Sequence, residues 1–281
     1  MKQAFHFLGV VVFALLAMSW VGRLHPVGDS LAVARPLLTI LAVAYGVFLK
    51  RWVMRGPVLA LAAVSLVSIA APALRSGAGG AHIVYQKNLL YWNDQVEDVV
   101  ADIIDSKADI LMLQEVAPWH QKTFEHSLRD VFPTWHVCGA VIIASKLPGL
   151  IGTDKCLGWD RSGAVQVQTR NGPAWIISLH LLWPWPKNQP LQVESLVPMI
   201  EGLEGPTIIG GDFNMVPWSD TIARLENASN TRLIGPIRPT FWIGPYPLVI
   251  DQILAPNGGR RELRPRFGSD HYGLVGYIND W

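Results

Sequence analysis

The sequence predicts a mixed α/β domain behind an N-terminal membrane-spanning region, and three observations carry that expectation. Residues 1–75 hold three apolar stretches, each near the length of a bilayer span. After them, short runs rich in β-branched residues alternate with segments whose apolar residues recur at helical spacing. One of the runs, Pro206-Thr207-Ile208-Ile209, passes into Gly210-Gly211-Asp212-Phe213-Asn214. Two glycines there free the backbone to turn, and a carboxylate and a carboxamide follow. An open α/β sheet builds a site beyond a strand end in this way; the plainer alternative is an Asx turn closing a strand.

Half of the 281 residues are hydrophobic and the mean hydropathy is +0.26. The excess sits in residues 1–75, and residues 76–281 read as an ordinary globular domain with room for a substantial core. Charge divides at the same place. Residues 1–75 hold 7 Lys and Arg against Asp29 alone, a net of +6; residues 76–281 hold 16 against 21 acids, a net of −5. A mildly acidic domain has no broad electrostatic grip on nucleic acid, although a metal ion would let it hold phosphates.

The apolar stretches predict transmembrane helices over about 4–21, 31–49 and 57–74. Arg35 and Pro36 interrupt the second near its start, where an arginine can snorkel. The link Lys50-Arg51-Trp52-Val53-Met54-Arg55 is strongly basic and belongs in the cytoplasm, so everything after Arg75 faces out. A cleaved signal peptide is the alternative for Ala4–Val21, with no clear small-residue cleavage site behind it. Cys138 and Cys156 either pair, as an oxidising compartment would allow, or stay as buried thiols. Ser76-Gly77-Ala78-Gly79-Gly80 reads as a flexible linker. The chain then divides into an anchor, residues 1–75, a linker, residues 76–81, and a globular domain, residues 82–281.

Within the domain, His82-Ile83-Val84-Tyr85 predicts a strand ending at Gln86-Lys87-Asn88. Asp94 and Glu97 form a capping box, behind which Val96, Val99, Val100, Ile103 and Ile104 make the stripe of an amphipathic helix. Asp109–Leu113 predicts a strand with Gln114-Glu115 at its end, and Thr123–Leu128 a short helix. Cys138–Ser145, Ala164–Thr169 and Trp175–Leu181 predict strands, the last carrying His180. Gln192–Leu203 is helical in pattern despite Pro198. Ser219 caps a short helix with Ile222 and Leu225. Leu248–Leu254 and Tyr272–Ile278 are the last strands.

Several of these strands carry polar groups that a purely structural strand avoids: Asn88, Glu115, His180, Asp212 with Asn214, Asp251, and Asp270 with His271. Singly, most have a dull explanation as turn caps, solvated ends or a satisfied core histidine. Asp251, inside Val249-Ile250-Asp251-Gln252-Ile253-Leu254, is harder to dismiss, because a carboxylate in an apolar run is costly unless paired or metal-bound. Together they suit phosphoester chemistry: carboxylate oxygens for Mg²⁺, with Mn²⁺ as an alternative, and two histidines for acid–base work. There is no His-Glu-x-x-His, no Cys/His cluster, no Walker-type glycine loop and no Gly-x-Ser-x-Gly, which disfavours zinc-site, nucleoside-triphosphatase and serine-esterase readings.

The order Asn88, Gln114-Glu115, Ser178-Leu179-His180-Leu181, Gly211-Asp212-Phe213-Asn214, Ile250-Asp251-Gln252-Ile253, Ser269-Asp270-His271 resembles the endonuclease/exonuclease/phosphatase superfamily over roughly residues 82–279. The anchored form is similar to a bacterial inner-membrane branch. The resemblance implies a four-layer αββα sandwich of two packed mixed sheets, here behind a bundle of three transmembrane helices, with the domain on the periplasmic side. It implies roles too: Glu115 as main metal ligand with Asn88 and Asp270; Asp212 orienting or deprotonating water; Asn214 holding phosphate; His271 as phosphate contact or acid–base group, oriented by Asp251; His180 as second histidine. Leu90 stands where abasic-site endonucleases carry an acid, which disfavours that branch. A carboxylate partner for His180 is not evident, Asp154 and Asp160 being the candidates, and Arg161 is either a phosphate-facing or a surface arginine.

The substrate is open at this stage. Trp183-Pro184-Trp185-Pro186 follows His180, and Trp218, Trp242 and Tyr246 follow other motif ends. Such aromatics stack on bases, sit at a bilayer interface, or simply pack loops. Arg260, Arg261, Arg264 and Arg266 form a basic cluster that would grip nucleic acid, anionic headgroups, or nothing. The expected function is a membrane-anchored, Mg²⁺-dependent phosphodiesterase on nucleic acid or a lipid headgroup. The alternatives are a phosphomonoesterase on the same scaffold and a catalytically silent binding module.

Overall fold

The structure, a computed structural model, describes residues 2–75, 77–159 and 161–281. Three helices come first: α1 (Lys2–Met18), α2 (Pro26–Phe48) and α3 (Trp52–Leu74). The 23-residue α2 and α3 are long and apolar enough to cross a bilayer; α1, with 17 residues, is shorter. The expectation of three full spans is corrected on this point. The first helix stops at Met18 because Ser19 turns its hydroxyl back onto Leu16 O and Arg35 of α2 takes the Ser19 carbonyl and hydroxyl. The second starts earlier than expected. Pro26 occupies its first turn, where a missing N–H costs nothing, and His25 accepts from Val27 N. Arg35 does not snorkel into water; it is buried and also donates to Trp218 O.

The domain has two six-stranded mixed sheets. Its strands and helices in chain order are β1 (His82–Asn88), α4 (Val96–Ser106), β2 (Ile110–Gln114), α5 (Pro118–Leu128), β3 (Thr134–Cys138), β4 (Val141–Ser145), β5 (Lys155–Cys156), β6 (Ser162–Thr169), β7 (Gly172–His180), α6 (Gln189–Glu201), β8 (Thr207–Asp212), α7 (Asp220–Ser229), β9 (Arg232–Leu233), β10 (Phe241–Ile243), β11 (Tyr246–Leu248), β12 (Asp251–Ala255), β13 (Gly259–Arg264) and β14 (Gly273–Ile278). The first sheet runs β13-β14-β1-β2-β4-β3 and the second β5-β6-β7-β8-β12-β9, while β10 and β11 form a separate hairpin.

Three apolar clusters define four layers. Val84, Met112 and Ile143 of the first sheet meet Val165, Ile176, Ile208 and Ile253 of the second. Val99, Val100, Ile103 and Phe124 of α4 and α5 cover the outer face of the first sheet. Val193, Leu196, Ile222 and Leu225 of α6 and α7 cover the second, and Ala32 of α2 joins them. The αββα sandwich follows from strands apolar on both faces, which must be covered on both.

Several local expectations shift. No capping box forms at Asp94; Gln95 is the cap and its N–H goes to Asn93 Oδ1. Ile104, given to the buried stripe, is exposed. The run Cys138–Ser145 is two strands joined through Gly139, whose φ of +58° suits a tight turn. Leu248–Leu254 splits where Val249 and Ile250 leave the hairpin for β12. The arginines of the cluster are engaged by partners within the chain, although only Arg261 is buried. Arg260 pairs with Glu262, buried Arg261 donates to Asp251 O and Gln252 Oε1, and Arg264 pairs with Asp102 and Asp105. Arg266 lies over Trp242 and Tyr272. Cys138 and Cys156 are joined as a disulfide. Gly80, in the segment read as a linker, runs against Ile278 O, and Ser76 lies outside the described residues.

Candidate active site

Strand register brings the polar residues together. In the second sheet, His180 on β7 lies beside Asp212 on β8, which lies beside Asp251 on β12. Laterally paired residues point to the same face, so one imidazole and two carboxylates form a row across three strands. In the first sheet, Asn88 ends β1 opposite Gln114 of β2. Glu115 follows with φ of +53°, a left-handed turn that carries it off the strand end.

Asp212 is the hub. Its Oδ1 accepts from Asn214 N at 2.8 Å, and its Oδ2 accepts from Asn88 Nδ2 at 3.0 Å and Asn214 Nδ2 at 3.3 Å. The first contact is the Asx turn of the plainer reading, so turn and site are one structure. Burial pushes the Asp212 pKa up to about 7, with the His271 charge opposing. Gly211 lets this strand end pass close to β7: a Cβ there would sit 1.9 Å from Leu179 O, and its φ is +153°.

Asp251 is buried and its Oδ2 accepts from His271 Nδ1 at 2.8 Å, while Oδ1 accepts from Gln86 Nε2 at 3.1 Å. Burial lowers the basicity of His271, but the carboxylates of Asp251 and Asp212 outweigh it and lift its pKa to about 10. Burial likewise works against the Asp251 anion, yet the His271 charge and hydrogen bond hold its carboxyl below the usual range. His271 Nε2 then faces Asp212 Oδ2 at 3.9 Å.

His180 is built the opposite way. Its Nδ1 lies 3.2 Å from Arg161 Nη1, and since a guanidinium only donates, Nδ1 accepts. Burial takes its pKa down to about 4, with Glu115 opposing and Arg161 adding to the fall. The neutral ring therefore carries its proton on Nε2, which faces Glu115 Oε1 at 3.6 Å and Asp212 Oδ2 at 3.7 Å. Among the described residues it is Arg161, not a carboxylate, that meets Nδ1. Asp154 lies instead near His136, and Asp160 falls outside the described residues.

Asp270 stands at the mouth of the same cleft, its Oδ1 4.0 Å from His271 Nε2. The cleft has a volume of about 280 Å³, and Arg161, Trp183 and Phe241 are among its walls. All the site residues singled out in the sequence thus line it or bond directly to residues that do. Others became visible only in three dimensions. Lys87, fully buried, donates to Pro265 O and His271 O and so holds the loop bearing Asp270 and His271; burial lowers its pKa to about 8. Gln86 also donates to Gln114 Oε1, and Gln114 donates to Ser178 Oγ, a polar chain joining the two sheets beneath Asp251. A Lys or Gln in a strand was a weak signal because its partners lie on other elements.

Two sets of ligand atoms, Glu115–His180–Asp212 and Asp212–Asp251–His271, each lie within 4.8 Å of one another. The first set fits a hard divalent cation through its carboxylates, with Asn88 at 3.1 Å from Glu115. Asn88 Oδ1, however, accepts from Leu90 N, so it is the amide nitrogen that faces the carboxylates.

Residues 77–271 match the model of the endonuclease/exonuclease/phosphatase family. The chain belongs to that family. Its members are metal-dependent phosphoester hydrolases, and the chain is an enzyme of that class. No curated protein matches the sequence. Among solved structures of the family fold, a mutant of β toxin from Staphylococcus aureus with bound magnesium ions is 11% identical, with 70% of this chain and 99% of that one covered and a TM-score of 0.57. Sphingomyelinase C from Streptomyces griseocarneus is 14% identical, covering 70% and 99%, with a TM-score of 0.55. A humanized TDP2 of D. rerio is 16% identical, covering 69% and 97%, also at 0.55. At these identities the likeness speaks to the fold.

Proposed function

We propose that this family member is a membrane-anchored phosphodiesterase dependent on a divalent cation, most naturally Mg²⁺. The observation that carries the reading is the oppositely tuned pair of histidines about one buried carboxylate: neutral His180 and charged His271 both face Asp212 Oδ2. Such a split supplies a neutral and a cationic donor around a phosphorus centre at one pH.

In this reading Glu115 and Asp270 would hold the metal, which when bound neutralises charge building on phosphoryl oxygens, and Asn88 would brace the Glu115 and Asp212 carboxylates by donating to both. Asp212, with a pKa near neutrality, orients and deprotonates the attacking water. His271 donates from Nε2 to the phosphoryl or leaving oxygen, its ring held by Asp251 at Nδ1. His180 donates from Nε2 to a phosphate oxygen, with Arg161 holding its ring. Both amide hydrogens of Asn214 are taken up by Leu181 O and Asp212, so its part is to fix Asp212 rather than to grip phosphate. Trp183 lines the entrance. The basic link between α2 and α3 and the disulfide in the domain support a cytoplasmic link and an extracytoplasmic domain.

The test uses the full chain in detergent with bis(p-nitrophenyl) phosphate and p-nitrophenyl phosphate. Diester hydrolysis that chelation abolishes, Mg²⁺ restores, and Glu115→Gln and His271→Ala each remove is the expected result. Faster monoester hydrolysis would favour a phosphomonoesterase, and no hydrolysis by folded protein would return the chain to a silent binding module.

A further inference from the structure

Helix α2 does not end at the membrane surface. Its N-terminal third runs into the outer helix layer of the domain. Asp29 accepts from Asp220 N at 2.7 Å and from Thr221 N and Oγ1 at 2.9 and 2.7 Å, capping α7 from another segment of the chain. Trp218 Nε1 donates to Ala32 O, and Ile237 N donates to Pro72 O of α3. The domain is therefore seated on the anchor by polar bonds as well as by apolar packing.

Its height on the anchor follows from the helices. Lys2, Lys50 and Arg51 surround one cleft at the far end and mark the inner headgroup level. From Phe48 up to Arg35 is 13 residues, about 20 Å of helix, whereas a hydrocarbon core is about 30 Å thick. The bilayer must reach past the Arg35 level, and α3 agrees: Leu66, Val67 and Leu74, beside and above Ser65 and Ser68, are exposed and apolar. Ser68 itself hydrogen-bonds Arg35. Val33 lies two residues, about 3 Å, above Arg35, and Ser30 about 7–8 Å above it.

Those two residues are where the rim of the active site touches α2. Tyr246 Oη of the β10–β11 hairpin donates to Val33 O at 2.8 Å, and Ser30 Oγ donates to Trp185 O at 2.7 Å. On the same hairpin Phe241 packs 4.7 Å from the His271 ring, and Trp183, two residues before Trp185, packs 6.0 Å from Phe241. Ile243, paired with Tyr246, is 54% exposed, and Trp185 is 47% exposed.

We infer that α2 holds the mouth of the active site against the outer leaflet, with Ile243 and Trp185 in the interfacial layer, and that the substrate is a membrane amphiphile carrying its phosphoester in the headgroup. The substrate half rests on the hydrolase reading above; the placement does not. The net charge of −5 on residues 76–281 runs against a polyanionic nucleic acid as the occupant. A headgroup beside the anchor is delivered by lateral diffusion.

The described cysteines are both in the disulfide, so a single added cysteine can be spin-labelled. Full-length Ile243→Cys is labelled in vesicles of equal parts phosphatidylethanolamine and phosphatidylglycerol, with Arg170→Cys, on the β6–β7 turn at the opposite strand ends, as reference. The expected result is that oxygen relaxes the Ile243 label more than a water-soluble nickel chelate does, with the order reversed at residue 170. Equal, water-like accessibility at both sites overturns the placement. In the same vesicles the unlabelled protein releases phosphate-bearing headgroup, read by phosphorus NMR. Ile243→Glu cuts that rate at least tenfold while leaving soluble diester hydrolysis within twofold. Hydrolysis of soluble diesters alone, with the label buried, overturns the substrate inference. Hydrolysis of neither removes the enzymatic reading while the label still reports the placement.

Discussion

Asp251→Asn is the sharpest probe of the site because it removes one charge without changing shape. Asp251 heads the influences that lift His271 against burial, and the gap between the ordinary 6.5 and about 10 corresponds to about 5 kcal/mol favouring the charged ring. Without that carboxylate, burial dominates and the His271 pKa falls. The hydrogen bond at Nδ1 also loses its anionic acceptor. A misoriented, mostly neutral imidazole should lower kcat for diester hydrolysis by about 10²–10⁴. Stability carries a matching signature. His271, raised, contributes stability that is complete below about 6.5 and lost as pH rises through about 10. Asp251, depressed, contributes stability present above about 3.8 and lost as pH falls through its folded value. The difference in unfolding free energy between parent and variant is then greatest between roughly pH 4 and 6.5 and shrinks on both sides. The assays are kcat on a soluble diester, NMR titration of the His271 ring, and denaturant unfolding at several pH values. A variant with kcat within threefold of the parent and an unmoved ring titration would refute the coupling.

Gly211→Ala should destabilise the domain by several kcal/mol and abolish activity, since its Cβ would overlap Leu179 O at 1.9 Å; thermal unfolding reads this directly. Asp29→Ala strands the N–H groups of Asp220 and Thr221 and should cost about 2–4 kcal/mol. Asp29→Asn, which keeps one carbonyl acceptor, should cost less, and denaturant titration of both in detergent compares them. Reduction of Cys138–Cys156, 18 residues apart, should lower stability by about 3 kcal/mol without changing kcat, because the bond lies outside the cleft.

Asp251 announced itself in the sequence because a carboxylate between Ile250 and Gln252-Ile253 has no cheap structural use, and a partner was therefore owed. His180, Glu115 and Asp270-His271 each had a dull explanation singly and were legible only together, through their order along the chain at strand ends. Arg161 was not legible as the group orienting His180, since that contact depends on β6 pairing with β7 at the Ser162–Leu179 end. Lys87 read as the close of a strand, and only the fold shows it clamping a loop more than 170 residues away. The β10–β11 hairpin, with Gly244-Pro245 at its turn and Pro247 in its second strand, carries too little periodicity to be read as strand. The arginine-rich β13 hid for another reason. Its charges obscured an edge strand in which Arg264 answers Asp102 and Asp105, far away in the chain.

The cap that Asp29 places on α7 bears on how the enzyme can be handled. A fragment beginning at Gly77 would leave the core cluster short of Ala32, Val33 and Ala73 and would strip α7 of its Asp29 cap. Such a fragment would stick to itself or to detergent, and weak activity from it would reflect a wounded core rather than a missing substrate. Expression trials do better to keep the hydrophobic leader and pay for detergent than to trim toward solubility.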